Sequence, residues 1–257
     1  MFLILSGWGP AVADKATPSD WWVAINNDRA EEVEQMLADG VDPNAVGPAG
    51  QPAIMQAIRE SAWDAYDVLV KHPKTAYNAI NVNRETPLMY LAVIGDTERA
   101  VDMIRRGAQV NRKGWTALHY AASTGKEDTV AMLLEQGADV DARSPDGTTP
   151  LMMAAYANSE AVVRQLLAVG ADLHLHTDQD YDVVDWAGFK QNTRLADKLQ
   201  ALIDQQRAGD TAGQEPGDVR LDTESKADQD ETTTDNNQDG STSRYFDLDR
   251  FDDPVTP

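Results

Sequence analysis

The histidines and carboxylates are the side chains here that could do chemistry, and their spacing decides which chemistry. His174-Leu175-His176 puts two imidazoles on one side of an extended segment, with Asp172 and Asp178 close in sequence. Such a set could engage a metal, yet two histidines on a loop fall short of a closed site, and exposed polar residues are the simpler reading. Asp235-Asn236-Asn237-Gln238-Asp239-Gly240 matches the first half of a calcium loop. The twelfth position, which should be a carboxylate, is Phe246, and Asp247 misses by one. No amphipathic helix flanks the segment, so a solvated acidic linker explains it better than a defined calcium site. His119 lies in TALHYAASTG (116–125) beside a threonine, two alanines and a glycine. Whether it is a reagent or a structural part depends on whether that stretch recurs.

Other chemistry is thinly supported. The chain lacks cysteine, which excludes disulfides, thiolate zinc sites and cysteine nucleophiles. There is no G-x-S-x-G, no P-loop and no dinucleotide fingerprint. The sequence reads as non-catalytic, with no metal and no cofactor. With 22 basic and 43 acidic residues, the formal charge is −21. Phosphate recognition needs a basic surface, so nucleic acid is a poor partner, and anionic lipid is disfavoured for the same reason. No apolar run approaches a membrane span.

The elements that would position these residues come from a repeat. GWTALHYAASTGKEDTVAMLLEQGADVDA (114–142) aligns with GTTPLMMAAYANSEAVVRQLLAVGADLHL (147–175) at a spacing of 33, Leu118 to Leu151 and Gly137 to Gly170. ETPLMYLAVIGDTERAVDMIRRGAQVN (85–111) has the same order, set back by 30, and residues 21–45 follow from their alanine onward. Self-similarity at this period predicts a stacked array rather than a closed globule. In each unit a threonine caps a first helix, with proline fitting its first turn. Ala121-Ala122 and Ala154-Ala155 allow close packing, and Gly95 or Gly125 ends the helix. A second helix carries apolar residues at helical spacing, such as Val130, Leu133 and Leu134, and ends at Gly137 or Gly170. An extended hairpin then leads to the next unit.

The chain thus resembles the ankyrin repeat family. The Thr-Pro-Leu-His motif appears as TPLM (86–89), TALH (116–119) and TPLM (149–152), and the Gly-Ala-Asp-Val-Asn ending as GVDPN (40–44), GAQVN (107–111), GADVD (137–141) and GADLH (170–174). The resemblance covers residues 20–206, about six units including two degenerate caps. It implies an all-α repeat solenoid of helix-turn-helix units with short β-hairpin fingers, and a monomeric, non-catalytic module that binds a protein partner on its concave face. It also implies that the motif histidine bonds to the motif threonine and to a neighbouring backbone group. His119 is then structural, as are Thr86, Thr116 and Thr149, while the junctions at Met89 and Met152 rely on packing alone. Unit two departs from the pattern, with His72-Pro73 where a glycine should end its second helix, and should be the weakest junction.

In such arrays partners touch finger tips and the exposed ends of first helices. By register those places hold Val93, Ile94, Trp115, Tyr156, Tyr181 and Phe189, large apolar residues at positions the fold does not need to fill. The ends of the chain read differently. Residues 1–13 combine an apolar run, a proline and Ala11-Val12-Ala13 in the order of a signal peptide, but lack its basic start. The expectation is a late-called signal, a linker at 14–19 and a periplasmic or secreted protein, with a cytoplasmic one as the alternative. Residues 207–257 hold 14 acids against 5 bases and read as a disordered acidic tail. In a second functional reading that tail, with or without calcium, competes for the groove, drawn by Arg59, Arg105, Arg106, Arg112 and Lys113 and anchored by Tyr245-Phe246.

Overall fold

The computed structural model describes residues 17–191 and 193–212. Among them are six helix pairs: α1 (Ser19–Asn26) with α2 (Ala30–Ala38), α3 (Ala53–Arg59) with α4 (Trp63–Lys71), α5 (Pro87–Ile94) with α6 (Thr97–Arg105), α7 (Ala117–Ser123) with α8 (Glu127–Glu135), α9 (Pro150–Tyr156) with α10 (Glu160–Ala168), and α11 (Val183–Phe189) with α12 (Thr193–Ala212). This is an all-α repeat solenoid. Each turn between paired helices passes through one left-handed residue, at Asp28, Ser61, Gly95, Gly125, Asn158 and Gln191. The register recurs even where the sequence does not supply glycine.

The first helices form one row, with α1 on α3, α3 on α5, α5 on α7, α7 on α9 and α9 on α11. Small buried residues permit that closeness: Ala24, Ala57, Ala92, Ala121, Ala154 and Ala187 are fully buried. The second helices form an outer row, in which α2 packs on α4, α6 on α8 and α8 on α10. Between α4 and α6 the contact is made by Arg99, whose guanidinium lies 4.1 Å over the Trp63 ring. The apolar core runs unbroken from Trp21 to Ile203, as expected where no unit can bury its own face.

A side-chain ladder ties the units together. Asn44 accepts from the Ala76 N–H (2.7 Å) and donates to the Lys74 carbonyl (2.8 Å). Asn78 does the same to Gln109 and Gly107, and Asn111 to Asp139 and Gly137. Asp141, next in register, accepts from the Asp172 N–H (3.0 Å) but, as a carboxylate, has no proton to return. The break at unit two is also bridged. Although α4 stops before His72-Pro73, the Thr75 hydroxyl donates to the Leu69 carbonyl (2.5 Å) and the Tyr77 hydroxyl to that of Val70 (3.1 Å).

Two sequence expectations change in detail. The fingers form no strand among the described residues; an isolated bridge pairs Val46 with Pro52. One backbone bond of the same register closes each of four fingers, Gly47 to Gln51, Asn81 to Glu85, Ser144 to Thr148 and Thr177 to Tyr181, and the first finger adds Ala53 to Ala45, too short a pairing for a ladder. The last helix runs to Ala212, past the boundary placed at 206. The signal-like residues 1–13, the calcium-loop match and the remaining tail lie outside the described residues.

Candidate functional site

Two registers decide what each unit shows on its finger side. One is the residue preceding the first-helix cap: Gln51, Glu85, Trp115, Thr148 and Tyr181. The other lies seven residues after that cap: Val93, Ser123, Tyr156 and Phe189. In both, burial depends on whether another unit follows. Glu85 is 3 % exposed and Thr148 0 %, whereas Tyr181 is 38 % exposed; Val93 is 4 % exposed, whereas Phe189 is 46 %. Where a unit follows, these positions are buried or half-buried, Trp115 and Tyr156 being half-buried; among the described residues no further helix pair follows α11 and α12.

The expectation that the fold leaves all six apolar residues unfilled is therefore corrected. Val93 is core, and Ile94 is half-buried against it. Trp115 is half-buried, its ring edge-to-face with His119 at 5.2 Å. Tyr156 is half-buried between Trp186, 5.8 Å away, and the Lys190 ammonium, 4.9 Å above its ring. Tyr181 and Phe189 remain open, edge-to-face at 5.1 Å, with Trp186 buried behind Phe189 at 5.8 Å. The structure gathers these four rings into one cluster over α9 and α11. Asp178, Asp180 and Asp185, close in sequence to these rings, are exposed.

Trp186 was not singled out from the sequence, nor were Tyr90 and Tyr120, which occupy the same helical register. A recurrent aromatic just before the small pair was the available signal. The tyrosines serve a buried polar network. The Tyr120 hydroxyl donates to Glu85 Oε1 (2.7 Å), and Asn81 Nδ2 donates to Glu85 Oε2 (2.7 Å). Gln51 Nε2 reaches the Tyr90 hydroxyl, which lies 3.4 Å from the same Oε2. Three side chains, Asn81 and Tyr90 nearby in sequence and Tyr120 from the next unit, with Gln51 behind Tyr90, thus hold one carboxylate inside the stack. Its burial and full ligation make it a clamp rather than an accessible acid.

His119 is wholly buried. The Thr116 N–H donates to Nδ1 (3.2 Å), so the proton sits on Nε2, which donates to the Thr148 carbonyl of the next unit (3.0 Å). Burial depresses its pKa to about 4, partly offset by that carbonyl. A neutral ring bonded on both nitrogens and shut from solvent has nothing to offer a substrate. At Thr86 and Thr149 the backbone N–H groups donate instead to the sulfurs of Met89 (3.3 Å) and Met152 (3.4 Å). Those positions keep the local cap and lack a counterpart of the bond that His119 makes to the next unit. His174 Nε2 faces Gln206 (3.1 Å) on α12. No group of three or more metal-ligating side chains converges among the described residues, and no described helix is long and apolar enough to cross a membrane.

Comparison with known proteins agrees with this geometry. Residues 91–177 match the family model for ankyrin repeats (3 copies). Human Rabankyrin-5 is 31 % identical over 150 residues, 56 % of this chain and 13 % of that protein. The nuclear factor NF-kappa-B p105 subunit of Gallus gallus is 31 % identical over 176 residues, 63 % of this chain and 18 % of that protein. Mouse TEX14, an inactive serine/threonine-protein kinase, is 28 % identical over 130 residues, 48 % of this chain and 9 % of that protein. The chain thus spans less than a fifth of each of these relatives. What it shares with them is ankyrin repeats, which are protein–protein interaction modules.

Proposed function

We propose that this protein is a monomeric, non-catalytic binding module that takes a protein partner on the finger side of its stack, at the last units. The carrying observation is the open aromatic pair Tyr181–Phe189, standing where a further finger would otherwise lie. The C-terminal helix is polar on its outer face, with Gln200, Asp204 and Gln205 exposed, as a terminal cap requires. Yet these two rings are left to solvent beside it. Exposed aromatic pairs backed by packed rings make efficient anchors, because their own freedom is already lost. The partner segment that fits is a turn offering an apolar residue, with lysine or arginine near Asp178, Asp180 and Asp185.

The test is Tyr181→Ser with Phe189→Ser, measured against the wild type by partner capture from the native compartment and by thermal unfolding. Binding should fall at least about tenfold, the effect of losing roughly 1.4 kcal/mol or more of anchor energy. Because both rings are substantially exposed, the melting curve should shift little. Capture of the same partner at unchanged affinity would remove this face from consideration.

A further inference from the structure

We propose that the acidic C-terminal segment of this chain, residues 213–257, docks on the cationic second and third fingers, at Arg84, Arg112 and Lys113. This does not rest on the partner site at Tyr181–Phe189. It concerns a different part of the same side. Arg84 and Lys113 are exposed and Arg112 half-buried, and Arg112 donates to the Arg84 carbonyl (2.5 Å), which brings the two guanidinium-bearing residues together. Burial, followed by the Arg84 charge, holds the Arg112 pKa below the usual arginine range. None of the ion pairs among the described residues involves Arg84, Arg112 or Lys113, although the chain has almost two acids for each base. Arg106, by contrast, is committed to Asp102 at 2.7 Å. A like-charged cluster kept without a counter-charge, in so acidic a protein, is arranged for an anion that arrives from elsewhere.

Charge, position and length select the tail as that anion. Residues 213–257 hold 13 acids against 4 bases. The helix that carries the segment reaches the finger side, since Gln206 on α12 meets His174 at the base of the fifth finger. Beyond Ala212 the acid-rich stretch Asp228-Gln229-Asp230-Glu231 follows after about 16 residues, a reach of up to about 50 Å when extended. The third finger lies about three unit steps away, or roughly 30 Å at about 10 Å per packed helix. On the way, the fourth and fifth fingers present Asp139, Asp146, Asp172, Asp178 and Asp180 against one exposed cation, Arg143, so their net negative charge disfavours the segment. The second and third fingers are where it can settle. Tethering raises the local concentration toward the millimolar range, so even weak attraction populates the docked state.

The absence of cysteine permits a single nitroxide label at Thr233→Cys in the full chain, read through broadening of assigned backbone amides. At about 50 mM salt the signals of residues 83–84 and 111–115 should be selectively lost. They should return at about 0.5 M salt, where the Debye length has shrunk to about 4 Å. They should also return in a full chain carrying Arg84→Glu, Arg112→Glu and Lys113→Glu. Because Arg112 bonds the Arg84 carbonyl, a second variant leaves the stack untouched and neutralises the tail with Asp228→Asn, Asp230→Asn and Glu231→Gln. It should give the same recovery. Broadening that is absent at low salt, falls on other fingers, or survives neutralisation of the tail would overturn the proposal.

Discussion

His119→Met tests the buried histidine where a simple deletion would not. Methionine occupies the same register at Met89 and Met152 and there keeps the bond from the threonine N–H. The variant therefore removes chiefly the Nε2 bond to the Thr148 carbonyl and the titration. At pH 7.5 the loss should be about 1–3 kcal/mol, the cost of a buried carbonyl left without its donor. The pH dependence carries the sharper information. The folded pKa of about 4 lies below the ordinary value of 6.5, so the unfolded chain takes up a proton that the folded one refuses. Stability from this source is complete above about pH 6.5 and is lost as the pH falls toward 4. Between pH 7.5 and pH 5.0 the wild type should lose about 2 kcal/mol through this group, and the variant none. Urea unfolding of both chains at the two pH values measures it. His72, His174, His176 and the carboxylates are common to both chains and cancel in the difference. The gap between wild type and variant should thus shrink by about 2 kcal/mol at pH 5.0, or reverse. A gap that is equal at both pH values would mean that the imidazole is hydrated or charged in place, and the structural reading of His119 would fail.

Three further outcomes are expected. Asp141→Asn should restore the missing donor of the side-chain ladder toward the Gly170 turn and raise stability by about 0.5–1.5 kcal/mol in denaturant titration; a neutral or destabilising result would show that the carboxylate is already satisfied there. Hydrogen exchange should find α4 less protected than α8, because the contact between α4 and α6 is a cation stack, Arg99 lying 4.1 Å over the Trp63 ring, that leaves the hydroxyl of Tyr66 and Nε of Arg99 buried without hydrogen-bond partners. Equal protection would refute this. If the first residues are an export signal, the mature chain from cells carrying the full gene should begin at Asp14 by mass, and a chain retaining Met1 or Phe2 would exclude that processing.

The repeat was legible because its signals are local and redundant. Thr86, Thr116 and Thr149 announce first helices, and Gly137 and Gly170 close second ones, each within a few residues of what it governs. The turn between helices was less legible. Ser61, Asn158 and Gln191 adopt the same left-handed conformation as Gly95 and Gly125 without any glycine to mark it. The ladder was legible in part. The Asn of GVDPN and GAQVN stands out in sequence, but Asn78 lies in a stretch that looks merely elongated, and only the fold shows it bonding Gly107 and Gln109. The network around Glu85 was not legible, because Asn81 and Tyr90 lie close to it in sequence but Gln51 and Tyr120 join only when units stack.

The same reasoning explains why six apolar residues chosen by register did not form one surface. Register along a helix says which way a side chain points within its own unit. It is silent on what the next unit lays over that place. Val93 points as Phe189 does, but α7 follows α5 closely, while among the described residues no further first helix follows α11. Exposure in a stack is a property of order in the array as well as of residue type. The open rings of Tyr181 and Phe189 combine both: apolar residues in the covered register, at the one helix pair whose far side is not covered by another described unit. An exposed apolar pair there costs solubility unless an occupant covers it, and in the proposed site the exposed carboxylates of Asp178, Asp180 and Asp185 favour a basic segment. The cationic fingers upstream carry the opposite preference. The two proposed sites therefore carry opposite charge, so that a segment drawn to one is turned away from the other.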